Sequence, residues 1–256
     1  MVKSELKENG ILFLTLDSPK TYNALSLEMM SALHSAVTKE AANKKVKVIV
    51  VKAEGKGFCA GHDLKQIQSN VSEEFYEKTM SSCCQLMQDI QSISQPVIAQ
   101  VHGVATAAGC QLVASCDLAV SSSDAKFATP GVMIGLFCST PMVALSRNVS
   151  RKHALEMLFT GEMISAQRAY EIGLINRHVS LDHLASTVEE LALKIASKSP
   201  YTISLGKKVF YEQIEMKTKD AYEYAAQAMV RNLLAHDAQE GIRCFLEKKT
   251  PVWKGE

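Results

Sequence analysis

No apolar run in these 256 residues approaches the ~20 that would carry a helix across a bilayer, so a transmembrane helix is excluded. Net charge is also nearly absent. With 28 Lys+Arg against 27 Asp+Glu, no field of one sign exists to draw nucleic acid or an anionic membrane, and neither is expected as a partner. There is no CxxC pair and no His–carboxylate spacing that suits a metal, so no metal site is expected. The serine run at Ser121–Ser123 lacks a GxSxG elbow, and Gly55-Lys56-Gly57 is too short for a phosphate loop. No GxGxxG follows the first apolar strand, and no repeat, charge block or low-complexity segment divides the chain. The opening MVKSELKENG has neither the apolar core of a signal peptide nor the arginines of a transit peptide. The seven cysteines show no disulfide framework and read as reduced thiols. Together these features predict a cytoplasmic protein.

What is present is an alternation of strand and helix signals. Ile11–Asp17 reads as a strand stopped at Ser18-Pro19, and a helix capped by Ser26 runs to about Asn43. Val46–Val51 is rich in β-branched residues and reads as a strand buried on both faces. A glycine-bearing loop, GKGFCAGHDLK, leads to a helix from about Ser72 to Ile93. A single strand is expected over Val97–Val104 and another over Asp117–Ser121. This order is that of an α/β fold with crossover connections. Beyond Ser139 the pattern is helical except for a strand at Leu174–Val179, and a break near His236 divides the last long helix. The chain reads as one domain over 1–256, with a core to about 195 and a helical region over about 196–256.

Two loops could carry chemistry. In GVATAAGCQLVASCD, small residues stand where a strand feeds a helix, whose first N–H groups have no partner within the helix. Those donors could hold a developing oxyanion, or the small residues could simply permit close packing. In GFCAGHDLK, glycines flank His62, which could work through its imidazole or only through its amide. Loops after parallel strands converge at one sheet edge, which favours reading the two together. His102, before a glycine in a buried strand, reads as a hydrogen-bonded structural residue, and Cys83-Cys84 as helix packing.

SPKTYNALS (18–26), GKGFCAGHDLK (55–65) and the segment from Val101 to Leu136 resemble the successive signatures of the crotonase superfamily, the enoyl-CoA hydratases and isomerases. LFTGEMISAQRAYEIGLINRHV (158–179) and the helical tail extend the likeness over the whole chain. The resemblance implies a spiral of ββα turns with a helical C-terminal trimerisation region, assembled as a trimer or a dimer of trimers. It implies an acyl-CoA thioester as substrate or ligand, no separate cofactor, and a place in fatty acid metabolism as a lyase or isomerase.

By the same resemblance, the amides of His62 and Ala108 form an oxyanion hole, with the Ala108 methyl beside the carbonyl. Lys20, Tyr22, Ala24, Leu25, Ala60, Asp63 and Leu64 fall at CoA-contact positions, and Lys207, Lys208 and Phe210 are candidates for closing over the nucleotide. Gln111 and Gly131 stand where hydratases of the family carry glutamates. Hydration needs a carboxylate to take a proton from water and an acid to deliver one to Cα, and neither residue does this. Asp117 looks structural, Asp124 lies in a loop, and Glu156 is a carboxylate that folding could bring in. Inefficient hydration is therefore expected. His62 is the first substitute acid–base group, and Thr129, Cys138 or Ser139 could position a substrate. The alternatives are a non-catalytic acyl-CoA-binding protein or a scaffold. The mitochondrial matrix is the alternative compartment, should a transit peptide have been removed.

Overall fold

The computed structural model describes residues 1–256. The polar opening forms β1 (Val2–Leu6), antiparallel to β2 (Ile11–Leu16), with Val2 opposite Leu16 and Leu6 opposite Leu12. As an exposed edge strand paired on one side, it needs no apolar pattern, which is why the sequence gives no strand signal there. Helix α1 (Leu27–Ala41) begins where Ser26 accepts a hydrogen bond from the Met29 amide. It leads to β3 (Val48–Ala53), parallel to β2.

The loop after β3 enters α2 (Leu64–Ser69), a short helix capped by Asp63, and then α3 (Glu73–Ser92), capped by Ser72. The single strand expected over 97–104 is two strands. β4 (Val97–Val101) stays parallel to β3, the chain turns at His102-Gly103, and β5 (Val104–Thr106) departs into a second sheet. Helix α4 (Ala108–Ser115) follows, and β6 (Leu118–Ser122) returns to lie beside β4. β7 (Lys126–Ala128) joins β5 in the second sheet.

A 3-10 turn over Pro130–Ile134 precedes α5 (Ser139–Asn148) and α6 (Arg151–Thr160). β8 (Ile164–Ser165) pairs antiparallel with β7, α7 (Ala166–Glu171) follows, and β9 (Arg177–Val179) closes the first sheet beside β6. The remainder is α8 (Leu181–Ala196), α9 (Pro200–Gln213), α10 (Thr218–Leu234) and α11 (His236–Glu247). The two sheets run β1-β2-β3-β4-β6-β9 and β5-β7-β8.

Strand alternation divides the core between the two faces of the large sheet. Leu12, Leu14, Ile49 and Val51 join the main cluster with α1, α3 and α4, whereas Ile11, Val48, Val50 and Ile98 pack under Leu184, Val188 and Ala192 of α8. Helix α9 is fastened to the sheet by a polar lock rather than by apolar burial. Lys207 Nζ donates to the Ile90 and Gln95 carbonyls and to Asp117 Oδ2 at 2.7–2.9 Å, while Tyr211 donates to Asp117 Oδ1 at 2.9 Å. Asp117 Oδ2 also accepts from the Val97 amide at 2.6 Å, so one carboxylate ties β4 and α9 to the start of β6.

Candidate functional site

Three loops meet beyond the C-terminal ends of β2, β3 and β5. Asn23 holds the first to the second. Its amide donates to the Glu54 and Gly57 carbonyls, both at 2.9 Å, and its Oδ1 accepts from the Ser18 amide. Tyr22 and Asn23 both sit at positive φ to make this turn. Asn23 is wholly buried and was not among the sequence-derived site residues, because the two carbonyls that its amide holds lie more than thirty residues away along the chain. The second loop is then sewn to β5. Cys59 N–H donates to the Val104 carbonyl, Thr106 N–H to the Cys59 carbonyl and Thr106 Oγ1 to the Ala60 carbonyl, all at 3.0 Å.

Helix α4 starts against this seam. Ala107 holds φ 50 and ψ −119, a strained backbone for a residue with a side chain, and its N–H donates to the Ala128 carbonyl at 2.9 Å. The helix comes so close that a Cβ at Gly109 would stand 2.1 Å from the Cys59 carbonyl oxygen, a contact only glycine allows. A Cβ at Gly61 would stand 3.2 Å from the Ala108 nitrogen, so the His62 loop and the Ala108 amide are direct neighbours. Neither the His62 nor the Ala108 amide donates to a group of the chain, the condition an oxyanion hole requires. Ala108 is completely buried, however, and its methyl belongs to the main core cluster.

The side chains around the pair are mostly uncharged. His62 Nε2 is buried without a hydrogen-bond partner, and burial holds the imidazole below its ordinary pKa, so the ring is neutral near pH 7. Gln111 is buried, with its Oε1 facing the Cys83 Sγ of α3 at 3.7 Å. Burial pushes the Cys59, Cys83 and Cys110 thiols up to about 12, which leaves them protonated and unreactive. Gly131, in the 3-10 turn, is enclosed: a Cβ there would lie 2.6 Å from the Leu136 carbonyl oxygen and 2.9 Å from Cys138 Sγ. Thr129 is wholly buried with an unpartnered Oγ1, and Ser139 starts α5.

The other sequence-derived positions divide. Lys20, Tyr22, Ala60 and Leu64 are exposed on the three loops, and Ala24 is half-buried between them. Leu25 points into the core and meets His62 only through a backbone bridge. The Asp63 carboxylate is engaged in capping α2, accepting from the Lys65 and Gln66 amides. Lys207 cannot close over a nucleotide, because its ammonium is buried and satisfied in the Asp117 lock. Lys208 and Phe210 of the same helix remain exposed. Glu156 lies at the surface, 3.9 Å from Arg168, and Asp124 is exposed in its loop. His102 is the structural residue expected, with its Nε2 at 2.9 Å from the Gly55 carbonyl oxygen.

A two-sheet α/β spiral with helices after it, and two free amides where its loops converge, define the crotonase fold. Residues 6–256 match the enoyl-CoA hydratase/isomerase family, and the chain belongs to that family. It is 48% identical over 250 residues to the mitochondrial enoyl-CoA hydratase domain-containing protein 3 of Rattus norvegicus, covering 98% of this chain and 83% of that protein. The crystal structure of human enoyl-CoA hydratase domain-containing protein 3 superposes with a TM-score of 0.96 at 48% identity, covering 98% of this chain and 99% of that one. An enoyl-CoA hydratase of Mycobacterium smegmatis gives a TM-score of 0.97 at 48% identity, with 98% of each chain covered. The rat relative and its human counterpart are named as mitochondrial proteins, which lends no support to the cytoplasmic expectation. No helix is long and apolar enough to cross a membrane.

Proposed function

We propose that this protein binds an acyl-CoA thioester with its acyl oxygen between the amides of His62 and Ala108, stabilises the enolate or oxyanion form, and does not hydrate enoyl-CoA efficiently. The observation that carries this reading is the pair of undonated amides on two loops sewn together around Gly61 and Gly109. Because Ala108 is wholly buried, the thioester oxygen enters only by displacing what covers that amide. Lys20, Tyr22, Ala24 and Ala60 flank the entrance for the CoA moiety, while Leu25 and Asp63 act by shaping the loops. At the positions of the usual glutamates, an amide faces a protonated thiol and a glycine has no room for a side chain. No carboxylate is left there to activate water.

The unpartnered His62 Nε2 favours an enzyme in which the imidazole moves a proton beside the stabilised enolate, as isomerisation or decarboxylation requires. The competing reading is a non-catalytic acyl-CoA-binding or scaffold protein of lipid metabolism, favoured by the same loss of glutamates. Homo-oligomerisation as a trimer or a dimer of trimers is supported by exposed Leu234, Phe245 and Leu246 on the C-terminal helices. The names of the relatives support the mitochondrion over the cytoplasm as compartment, with the matrix as the proposed location within it.

The test is a panel of acyl-, enoyl-, malonyl- and 3-hydroxyacyl-CoA compounds, with products followed by mass spectrometry. Turnover of one compound, lost in His62→Ala, supports the enzyme; binding throughout without products supports the carrier; and failure to bind any of them refutes both and leaves the scaffold.

A further inference from the structure

An amide at His62 can hold an acyl oxygen only while its peptide plane is fixed. The Leu25 N–H donates to the Gly61 carbonyl at 2.7 Å, and in a trans peptide the His62 N–H then points the opposite way. Beyond His62 the hold is weaker. The Asp63 amide donates to the Leu25 carbonyl at 3.4 Å, at the long limit for such a bond.

Helix α2 follows at once. The Asp63 carboxylate caps it by accepting from the Lys65 and Gln66 amides at 3.0 and 3.2 Å, but the helix buries no residue and is six residues long, too short to stand alone. Within 64–70, Gln66 is the one residue that hydrogen-bonds to the chain outside 63–72. Its Oε1 accepts from the Leu27 amide at 2.9 Å, an N–H in the first turn of α1 that has no partner within that helix. Its Nε2 donates to both carboxylate oxygens of Glu28, at 3.3 and 3.0 Å. The amide cannot be turned over, since its oxygen would then face a carboxylate and its NH2 an N–H.

These bonds close a circuit around the His62 peptide. Leu25 binds Gly61, Asp63 binds Leu25 and caps the turn that carries Gln66, and Gln66 returns to Leu27, two residues beyond Leu25. Without the last link, α2 has no hydrogen bond to the body of the protein, and the segment after His62 is left to the long Asp63 bond.

We propose that Gln66 is a positioning residue, which latches α2 to the start of α1 and so keeps the His62 amide in line for the acyl oxygen. This role rests on the thioester reading above. Gln66 acts through His62.

Butyryl-CoA, a saturated thioester isotope-labelled at its carbonyl, tests the role in three variants. Gln66→Met removes the latch at similar volume, Gln66→Glu sets two carboxylates against each other, and Gln66→Glu/Glu28→Gln again faces a donor with an acceptor. In the native protein the amides should lower the carbonyl stretching frequency of the bound thioester, read by infrared difference spectroscopy. Both single variants should lose part of that shift and bind about fivefold more weakly, the equivalent of one net hydrogen bond. The double variant should recover both. A purely structural role would move the thermal midpoint and leave the carbonyl frequency unchanged. Amide hydrogen exchange without ligand tests the latch by itself, since His62 to Asn70 should exchange faster in both single variants. An unchanged carbonyl shift and affinity in the single variants, no recovery in the double variant, or unchanged exchange over 62–70 overturns the proposal. A native protein that fails to bind butyryl-CoA would overturn the thioester reading and Gln66's role toward a ligand with it, while faster exchange in the single variants would still establish the latch.

Discussion

Gln111 and Gly131 differ in what a substitution could restore. At 111 a carboxyl group would fit in place of the amide, but it would be buried opposite a thiol that is itself protonated, with no cation to hold it ionised. At 131 even a Cβ meets the Leu136 carbonyl oxygen at 2.6 Å. Gln111→Glu is therefore expected to leave crotonyl-CoA absorbance unchanged over time. Gly131→Glu should lower stability by about 1–3 kcal/mol in thermal unfolding, the usual cost of forcing extra atoms into a packed site. His62 carries a pH dependence whose sign follows from burial. Its folded pKa lies below its unfolded value, so the unfolded chain takes up the proton first as pH falls, and stability is lost on going below about pH 6.5. Replacing it in His62→Gln should flatten the thermal midpoint between pH 7.5 and pH 5.5, whereas an unchanged slope would assign the dependence elsewhere. The amide positions were legible in the sequence through the three motifs that carry the family resemblance. The Gln111–Cys83 contact and the Asn23 clamp were not, because neither pairing leaves a periodic or motif signal in the chain.

Among the elements, the longer helices read well because most carry an apolar face at regular spacing and several a side-chain cap, as Ser26 and Ser72 do, whereas the short α2, with no buried residue, was missed. The strands of the second sheet did not. β7 and β8 are three and two residues long, too short for an alternation to show, and β5 merged with β4 because both are apolar up to the turn at Gly103. The role of Lys207 was misread for a related reason, since a lysine on a helix with no buried residues gives no sign that its ammonium reaches the interior. Burial draws the Lys207 pKa down while the Asp117 carboxylate draws it back up, and the three oxygens around Nζ keep it a donor. Lys207→Met leaves that carboxylate without its cation and should cost about 3 kcal/mol in denaturant unfolding. A loss no larger than that of an exposed lysine would show the lock to be incidental. Because the lock joins α9 to β4 and β6, the same variant should loosen the C-terminal helices first, which hydrogen exchange would register.

For the whole molecule, the helices after Pro200 bury little: α9 has no buried residue, and α10 has only Ala228. Leu234 is 78% exposed, Phe245 82% and Leu246 76%, apolar side chains that a subunit interface of the kind proposed above would cover. Light scattering should give a multiple of 28.0 kDa, and Phe245→Asp/Leu246→Asp should shift the protein toward the monomer without altering its helix content. A native protein that is already monomeric would remove the oligomeric reading. The central claim, that the chain retains the hold on a thioester oxygen and lacks the means to activate water, is tested most directly with crotonyl-CoA. Calorimetric binding and enone absorbance would be followed on the same sample. The account predicts saturable binding of one thioester per protomer with the absorbance constant over the time a true hydratase consumes it. Absorbance lost at a hydratase-like rate, or no binding at all, would contradict it.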